Sequence, residues 1–169
     1  MHKNNRPTFY TENGQHIRAA GVLCYVNHKL LDNKYKKIWL FRNQDNIFSD
    51  TGGKTDTCDT SIIDTAIRET VEETNGHLFS SNHNYEICKN MLIKEFNKQK
   101  PEPIYVKSCK YLLYPLKLRY TNKYLSLKRF GDKEIHDDLI HSYHWIDYIP
   151  DNIHPRLKSI RYQLKEFNK

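Results

Sequence analysis

Apolar positions alternate with polar turns along this chain in short blocks. Ala19-Ala20-Gly21-Val22-Leu23-Cys24-Tyr25-Val26 is a brief apolar run of the kind that forms a buried strand. Asn27 to Lys36 is polar and turn-like, and Lys37-Ile38-Trp39-Leu40-Phe41 then reads as the hairpin partner. Ser49 to Thr57 holds two adjacent glycines, Gly52 and Gly53, and reads as a loop because glycine reaches backbone angles other residues resist. A helix is expected from about Ser61 to Thr74. Asp59, Thr60 or Ser61 would cap its start, and Asn75-Gly76 would end it. Residues 85–97 suit a second helix, Ile104–Val106 and Tyr111–Leu118 suit strands, and His144–Tyr148 suits a late strand. Leu157, Ile160, Leu164 and Phe167 recur at helical spacing and predict one C-terminal helix over Pro155–Phe167. Residues 1 to about 16 are polar and read as an arm or a first edge strand. The mixture makes the class α/β or α+β.

Length changes little in this picture. A chain of 169 residues fits an N-terminal arm or edge strand over 1–18 and one domain over 19–169. No apolar block follows the N-terminal residues, no run approaches a bilayer span, and mean hydropathy is −0.82, so a cytoplasmic protein is expected. Cys24, Cys58, Cys88 and Cys109 are widely spaced and read as reduced thiols rather than a disulfide framework or a zinc site. Lys plus Arg number 27 against 20 Asp plus Glu, a formal charge of +7. That surplus favours phosphate esters, nucleotides or RNA as partners, or else only a solvated lysine-rich surface.

The helix after the glycines carries the chemistry. At about 100° per residue, Ile63, Ala66, Ile67 and Thr70 share one face with Val71 at its edge, and Glu69, Glu72 and Glu73 crowd the other. Carboxylates within one turn repel each other, and Arg68 is the only nearby cation along the sequence. A divalent metal taking hard oxygen donors would resolve the repulsion, and an acidic solvated face is the plainer alternative. The glycine turn favours the metal, because it lets backbone groups approach a ligand closely.

From Gly53 to Gly76 the chain resembles the Nudix box, G-x5-E-x7-R-E-U-x-E-E-x-G-U with U bulky and apolar, and its core Arg68-Glu69-Thr70-Val71-Glu72-Glu73 is intact. Fourteen residues separate Gly53 from Arg68 where the pattern has thirteen, so the first acidic position falls on Asp59 or Thr60, and Asp59 keeps the carboxylate. Thr70 replaces an apolar residue, and Asn75 stands where the last glycine should be.

The resemblance implies a Nudix-type α/β/α sandwich around a mixed β-sheet and hydrolysis of a pyrophosphate bond with Mg²⁺ or Mn²⁺. It also implies metal ligation by Glu72, Glu73, Glu69 and the Gly53 carbonyl. Glu69 would ligate metal or assist the attacking water, with Arg68 holding it in place. A further acid from a late loop is expected, and Glu134 is preferred over Asp137 and Asp138. Capped RNA or a dinucleoside polyphosphate suits the basic surface as substrate; a Nudix-fold binding module without turnover is the alternative.

Three other features are weaker. Pro103 to Gly131 lacks acidic residues and interleaves lysines and arginines with tyrosines, which suits either phosphate and base binding or sheet packing. Lys107, Arg119 and Lys54 are the candidate substrate contacts. His136, His141 and His144 lack a zinc spacing and read as surface or loop residues, and Trp39 and Trp145 read as core.

Overall fold

A computed structural model describes residues 5–79, 84–119, 127–134 and 138–167. β1 (Phe9–Tyr10) and β2 (His16–Ile17) pair with each other in a small two-stranded sheet of their own. The main sheet contains, among the described residues, seven strands: β3 (Ala19–Lys29), β4 (Tyr35–Gln44), β5 (Ile47–Ser49), β6 (Thr51–Lys54), β7 (Ile104–Val106), β8 (Tyr111–Lys117) and β9 (His141–Ile146). β3 and β8 pair in parallel and the other ladders are antiparallel, so the sheet is mixed. The β4–β5 turn is tight because Asp45 and Asn46 both adopt positive φ, as a two-residue hairpin turn requires.

Alternation along the strands divides the core in two. Ala20, Val22, Cys24, Val26, Ile38 and Leu40 face one layer, where α1 (Ile62–Glu73) and α2 (Tyr85–Gln99) cover them. Leu23, Trp39, Phe41, Tyr111 and Leu113 face the other, covered by Ile149, Ile153 and the helices α3 (Pro155–Lys158) and α4 (Arg161–Glu166). Helices thus flank the mixed sheet on both sides, as the expected sandwich requires. Each fully buried side chain of this kind contributes about 1.5–3 kcal/mol. All four cysteines are free, Cys24 and Cys88 buried and Cys58 and Cys109 exposed. Among the described residues no helix is long and apolar enough to cross a membrane.

Several expected boundaries move. The C-terminal helix is broken: Ile160, at φ −111°, separates α3 from α4, and Leu157, Ile160 and Leu164 are all buried in the core. The late strand starts at His141 and ends at Ile146, because its register runs along β4 from Gln44 to Trp39. On α1, Ile63 is exposed, whereas Thr65 and Glu73 are buried.

Candidate active site

Helix α1 begins on a capping box. The Ser61 hydroxyl accepts the Asp64 amide at 3.2 Å, and the Asp64 carboxylate accepts the Ser61 amide at 3.0 Å. It ends at Asn75 and Gly76, both at positive φ. Ahead of it, β6 lies antiparallel to β3 with Gly52 opposite Gly21 and Gly53 opposite Ala20. The Tyr111 hydroxyl fills the space where a Cβ at either Gly21 or Gly52 would stand. A Cβ on Gly53 would lie 2.5 Å from the Glu69 carboxyl carbon. Only glycine lets that carboxylate settle against the β6 backbone.

Arg68 organises the exposed side of this junction. Its Nε and Nη2 donate to the two oxygens of Asp59 at 2.9 and 3.0 Å, and Nη2 also donates to the Lys54 carbonyl at 2.8 Å. Nη1 donates to Glu69 at 2.9 Å and to Glu72 at 3.4 Å. Asp59, rather than Thr60, therefore meets the arginine; Thr60 bonds Asp64 instead. Burial opposes ionisation of Asp59, but bonds from Arg68, the Asp56 amide and Thr65 outweigh it and hold the carboxyl below its usual range. Glu69 differs. Burial pushes its carboxyl up to about 6, Arg68 pulls against the rise, and the charges of Glu72 and Glu134 add to it.

Glu73 faces inward. Its oxygens accept the Gly52 amide at 3.0 Å and meet Arg42 Nη1 at 3.3 Å, and burial pushes its carboxyl well up. Arg42 Nε donates to His141 Nδ1 at 3.0 Å. Close by, buried Asp50 accepts the Tyr111 hydroxyl and Arg156 Nε, the latter at 3.0 Å. Arg68 is therefore not the only nearby cation, since the fold brings Arg42 and Arg156 to the cluster. His141 is buried rather than a surface residue, while His144 is exposed and bonds Ser142 at 2.8 Å. Arg42 carried a signal in the sequence, being two residues beyond Leu40 on the strand face that meets α1. Asp50 and Arg156 carried none; they meet across 106 residues of chain.

The departure at Asn75 has a structural use. Its Nδ2 donates to the carbonyls of Phe130 and Lys133, at 2.8 Å to the latter, and so ties the segment bearing Glu134 to the end of α1. Glu134 is close enough for its charge to act on Glu69. Asp138 is exposed, and Asp137 and His136 lie outside the described residues.

The three basic candidates are not brought together. Lys54 is exposed at the end of β6. Lys107 and Arg119 flank opposite ends of β8, about 23 Å of strand apart for its seven residues. Tyr111 and Tyr114 are buried, so the basic and aromatic stretch forms no single surface; Tyr120, Lys123 and Tyr124 lie outside the described residues. Trp39 is fully buried, and Trp145 packs partly buried against the core.

Two clefts border the acidic cluster. One, of about 730 Å³, is lined by Asp59, Arg68, Glu72, Tyr85 and Lys89 between α1 and α2. The other, of about 260 Å³, is lined by Arg42, Gly52, Glu73, His154 and Arg156. Among the described residues, no three His, Cys, Asp or Glu side chains are gathered as a ready-made metal site.

No protein-family model matches the sequence, and no curated protein matches it. Solved structures do match. The chain is similar to Nudix hydrolases over most of its length. An Ap4A hydrolase from C. elegans, solved as a binary complex, is 17% identical over 89% of this chain and 96% of its own, with a TM-score of 0.49. The Nudix hydrolase RenU from M. smegmatis is 12% identical over 95% of this chain and 94% of its own, with a TM-score of 0.44.

Proposed function

We propose that this chain hydrolyses a pyrophosphate bond in a nucleoside diphosphate linked to another moiety, with Mg²⁺ or Mn²⁺ as cofactor. The observation that carries the reading is the convergence of Glu69 and Glu72 on one guanidinium nitrogen beside a glycine whose missing side chain leaves room for the Glu69 carboxylate. Two carboxylates already share a positive centre there, and hard oxygen donors of this type fit Mg²⁺ or Mn²⁺. Glu69, Glu72 and the Gly53 carbonyl would hold the metal, while Glu73, expected among the ligands, is engaged by Arg42 and the Gly52 amide instead. When bound, the metal neutralises the phosphate oxygens and lowers the pKa of a bound water.

The remaining work falls to the chain. Arg68 fixes Glu69 and Glu72 through charge-assisted bonds while Asp59 anchors the guanidinium from behind. Glu69, with its carboxyl pushed to about 6, is ionised at neutral pH and still basic enough to accept a proton from the attacking water. Glu134 adds negative charge and strengthens that basicity. Capped RNA or a dinucleoside polyphosphate is the proposed substrate, supported by the surplus of seven positive charges.

The engagement of Glu73 with Arg42, and the lack of a gathered ligand set among the described residues, favours one other reading: a nucleotide-binding module without turnover. A product assay with Mg²⁺ or Mn²⁺ separates the two. The panel holds capped RNA, dinucleoside polyphosphates, ADP-ribose and nucleoside triphosphates, with Glu72→Gln as the blank. Cleavage of one class, absent in the blank, supports the hydrolase. Metal-independent retention of a ligand without product supports the module.

A further inference from the structure

At the far end of β3 from the glycine turn, a groove of about 760 Å³ opens between the sheet and the C-terminal end of α2. Strand register places Tyr25 beside Lys117 on β8 and beside Trp39 on β4, and sets Asn27 opposite Lys37 and Lys29 opposite Tyr35. Tyr25, Tyr35 and Lys117 are on the sheet face that α3 and α4 cover higher up. The groove passes round the end of β8 to Lys98 and Gln99 of α2, which covers the other face, and Gln99 bonds the Lys117 backbone there. Tyr25 packs against Trp39, tilted, at 5.3 Å between ring centroids, and Lys37 Nζ stands over the Tyr25 ring at 5.5 Å. Tyr35 is 61% exposed at the rim.

The groove is positive. Lys98, Lys117 and Arg119 line it, all exposed and, among the described residues, in no ion pair. Elsewhere on this end of the molecule lysines are neutralised, Lys36 by Asp147 and Lys34 by Asp32. The one acid in the lining, Glu95, accepts a bond from Gln99 Nε2 at 2.6 Å. Burial, and after it the charge of Lys117, holds the Lys37 ammonium below its usual range, as expected of cations crowded without a counterion. Asn27 also lines the groove, half-buried. Two tyrosine rings beside these three cations suit a ligand with flat apolar faces and phosphates.

We propose that this groove binds a single-stranded stretch of nucleic acid, with bases against Tyr25 and Tyr35 and phosphates on Lys98, Lys117 and Arg119. The register between Ala20, which faces Gly53, and Tyr25 puts the groove about 17 Å along β3 from the acidic cluster, so it is a separate site. A duplex is excluded as the natural occupant because its bases are not free to stack on the rings.

The test uses the full chain, a fluorescent 5′-hydroxyl oligouridine without any pyrophosphate bridge, and EDTA throughout, so the outcome does not depend on catalysis. Binding followed by anisotropy against salt should give a log–log slope of about −2, from three cations at about −0.7 each. Lys117→Ala should make the slope shallower by about 0.7, and Arg119→Ala, beyond the strand end, should repeat the effect if Lys117→Ala fails to fold. Tyr35→Leu should weaken binding about tenfold and leave the slope unchanged. Tyr35→Leu without effect overturns the proposal, and so does a complementary duplex bound as tightly as the single strand. Displacement of the oligouridine by polyglutamate at equal charge also overturns it, assigning the surface to an acidic protein segment instead.

Discussion

The two arginine networks on either side of α1 are built from the same residue types and behave as opposites. On the open side, Arg68 is shared among Asp59, Glu69 and Glu72, and Glu72 lines a wide cleft. On the closed side, Arg42 meets Glu73 and Arg156 meets Asp50, both carboxylates buried, beside a smaller cleft. A guanidinium that divides itself among three carboxylates leaves lone pairs free for another cation. One that closes on a single buried carboxylate does not. Adjacent positions, Glu72 and Glu73, fall on opposite sides of this divide because 100° of helix rotation turns one outward and the other to the sheet.

The largest effect should come from breaking the closed side. Arg42→Leu leaves Glu73 buried without its cation and should cost about 3–5 kcal/mol. At about 2–4 °C per kcal/mol, that lowers the thermal midpoint by roughly 10 °C. Adding Glu73→Gln, which still accepts the Gly52 amide, should recover most of the loss; a double variant no better than the single would show that the pair does not act as a unit. Next is Glu72→Gln on the open side. Turnover should fall about 100-fold or more, with the midpoint moving by less than about 2 °C. Unchanged turnover would remove Glu72 from the site.

Asp59→Asn sharpens the comparison further, because Asp59 is the buried anchor of an otherwise open network. It should cost about 2 kcal/mol at neutral pH through its charge-assisted bonds to Arg68. Its folded pKa lies below the ordinary 3.8, so its contribution is complete above that value and fades as pH falls through the lower folded one. The variant's stability should therefore be flatter than the parent's in that acid window, and parallel acid-unfolding curves would refute this. The smallest effect is that of Glu134→Gln. Removing its charge lowers the Glu69 pKa from about 6, so the acid limb of the rate profile should shift to lower pH by less than one unit. A limb that stays in place, with Mn²⁺ affinity equal to the parent's, would discard any role for Glu134.

What the sequence disclosed follows from how local each feature is. The α1 cap, its Asn75-Gly76 end and the strands carrying Leu23, Trp39 and Leu113 are written in runs of a few residues, and the structure keeps them. The break at Ile160 was invisible, because Leu157, Ile160 and Leu164 show helical spacing whether or not the helix is continuous. Glu73 was legible as an acid but not as a buried one. Its environment is set by Arg42, 31 positions earlier, and by the way β4 and β6 both border β3. The basic stretch misled for the opposite reason. Tyr111 and Tyr114 are continuous in sequence with Lys117 and Arg119, yet only the latter pair reaches a surface groove.

The tyrosine hydroxyl lodged between Gly21 and Gly52 brings three distant positions to one point. Neither glycine can gain a methyl group while Tyr111 keeps its oxygen, and the oxygen cannot be lost without taking a donor from Asp50. Shortening residue 111 would free neither glycine, because a Cβ on Gly21 would still collide with the Thr51 carbonyl oxygen and one on Gly52 would lie 2.8 Å from the Gly21 Cα. Among descendants of this chain, glycine should persist at 21 and 52 even where residue 111 is shorter.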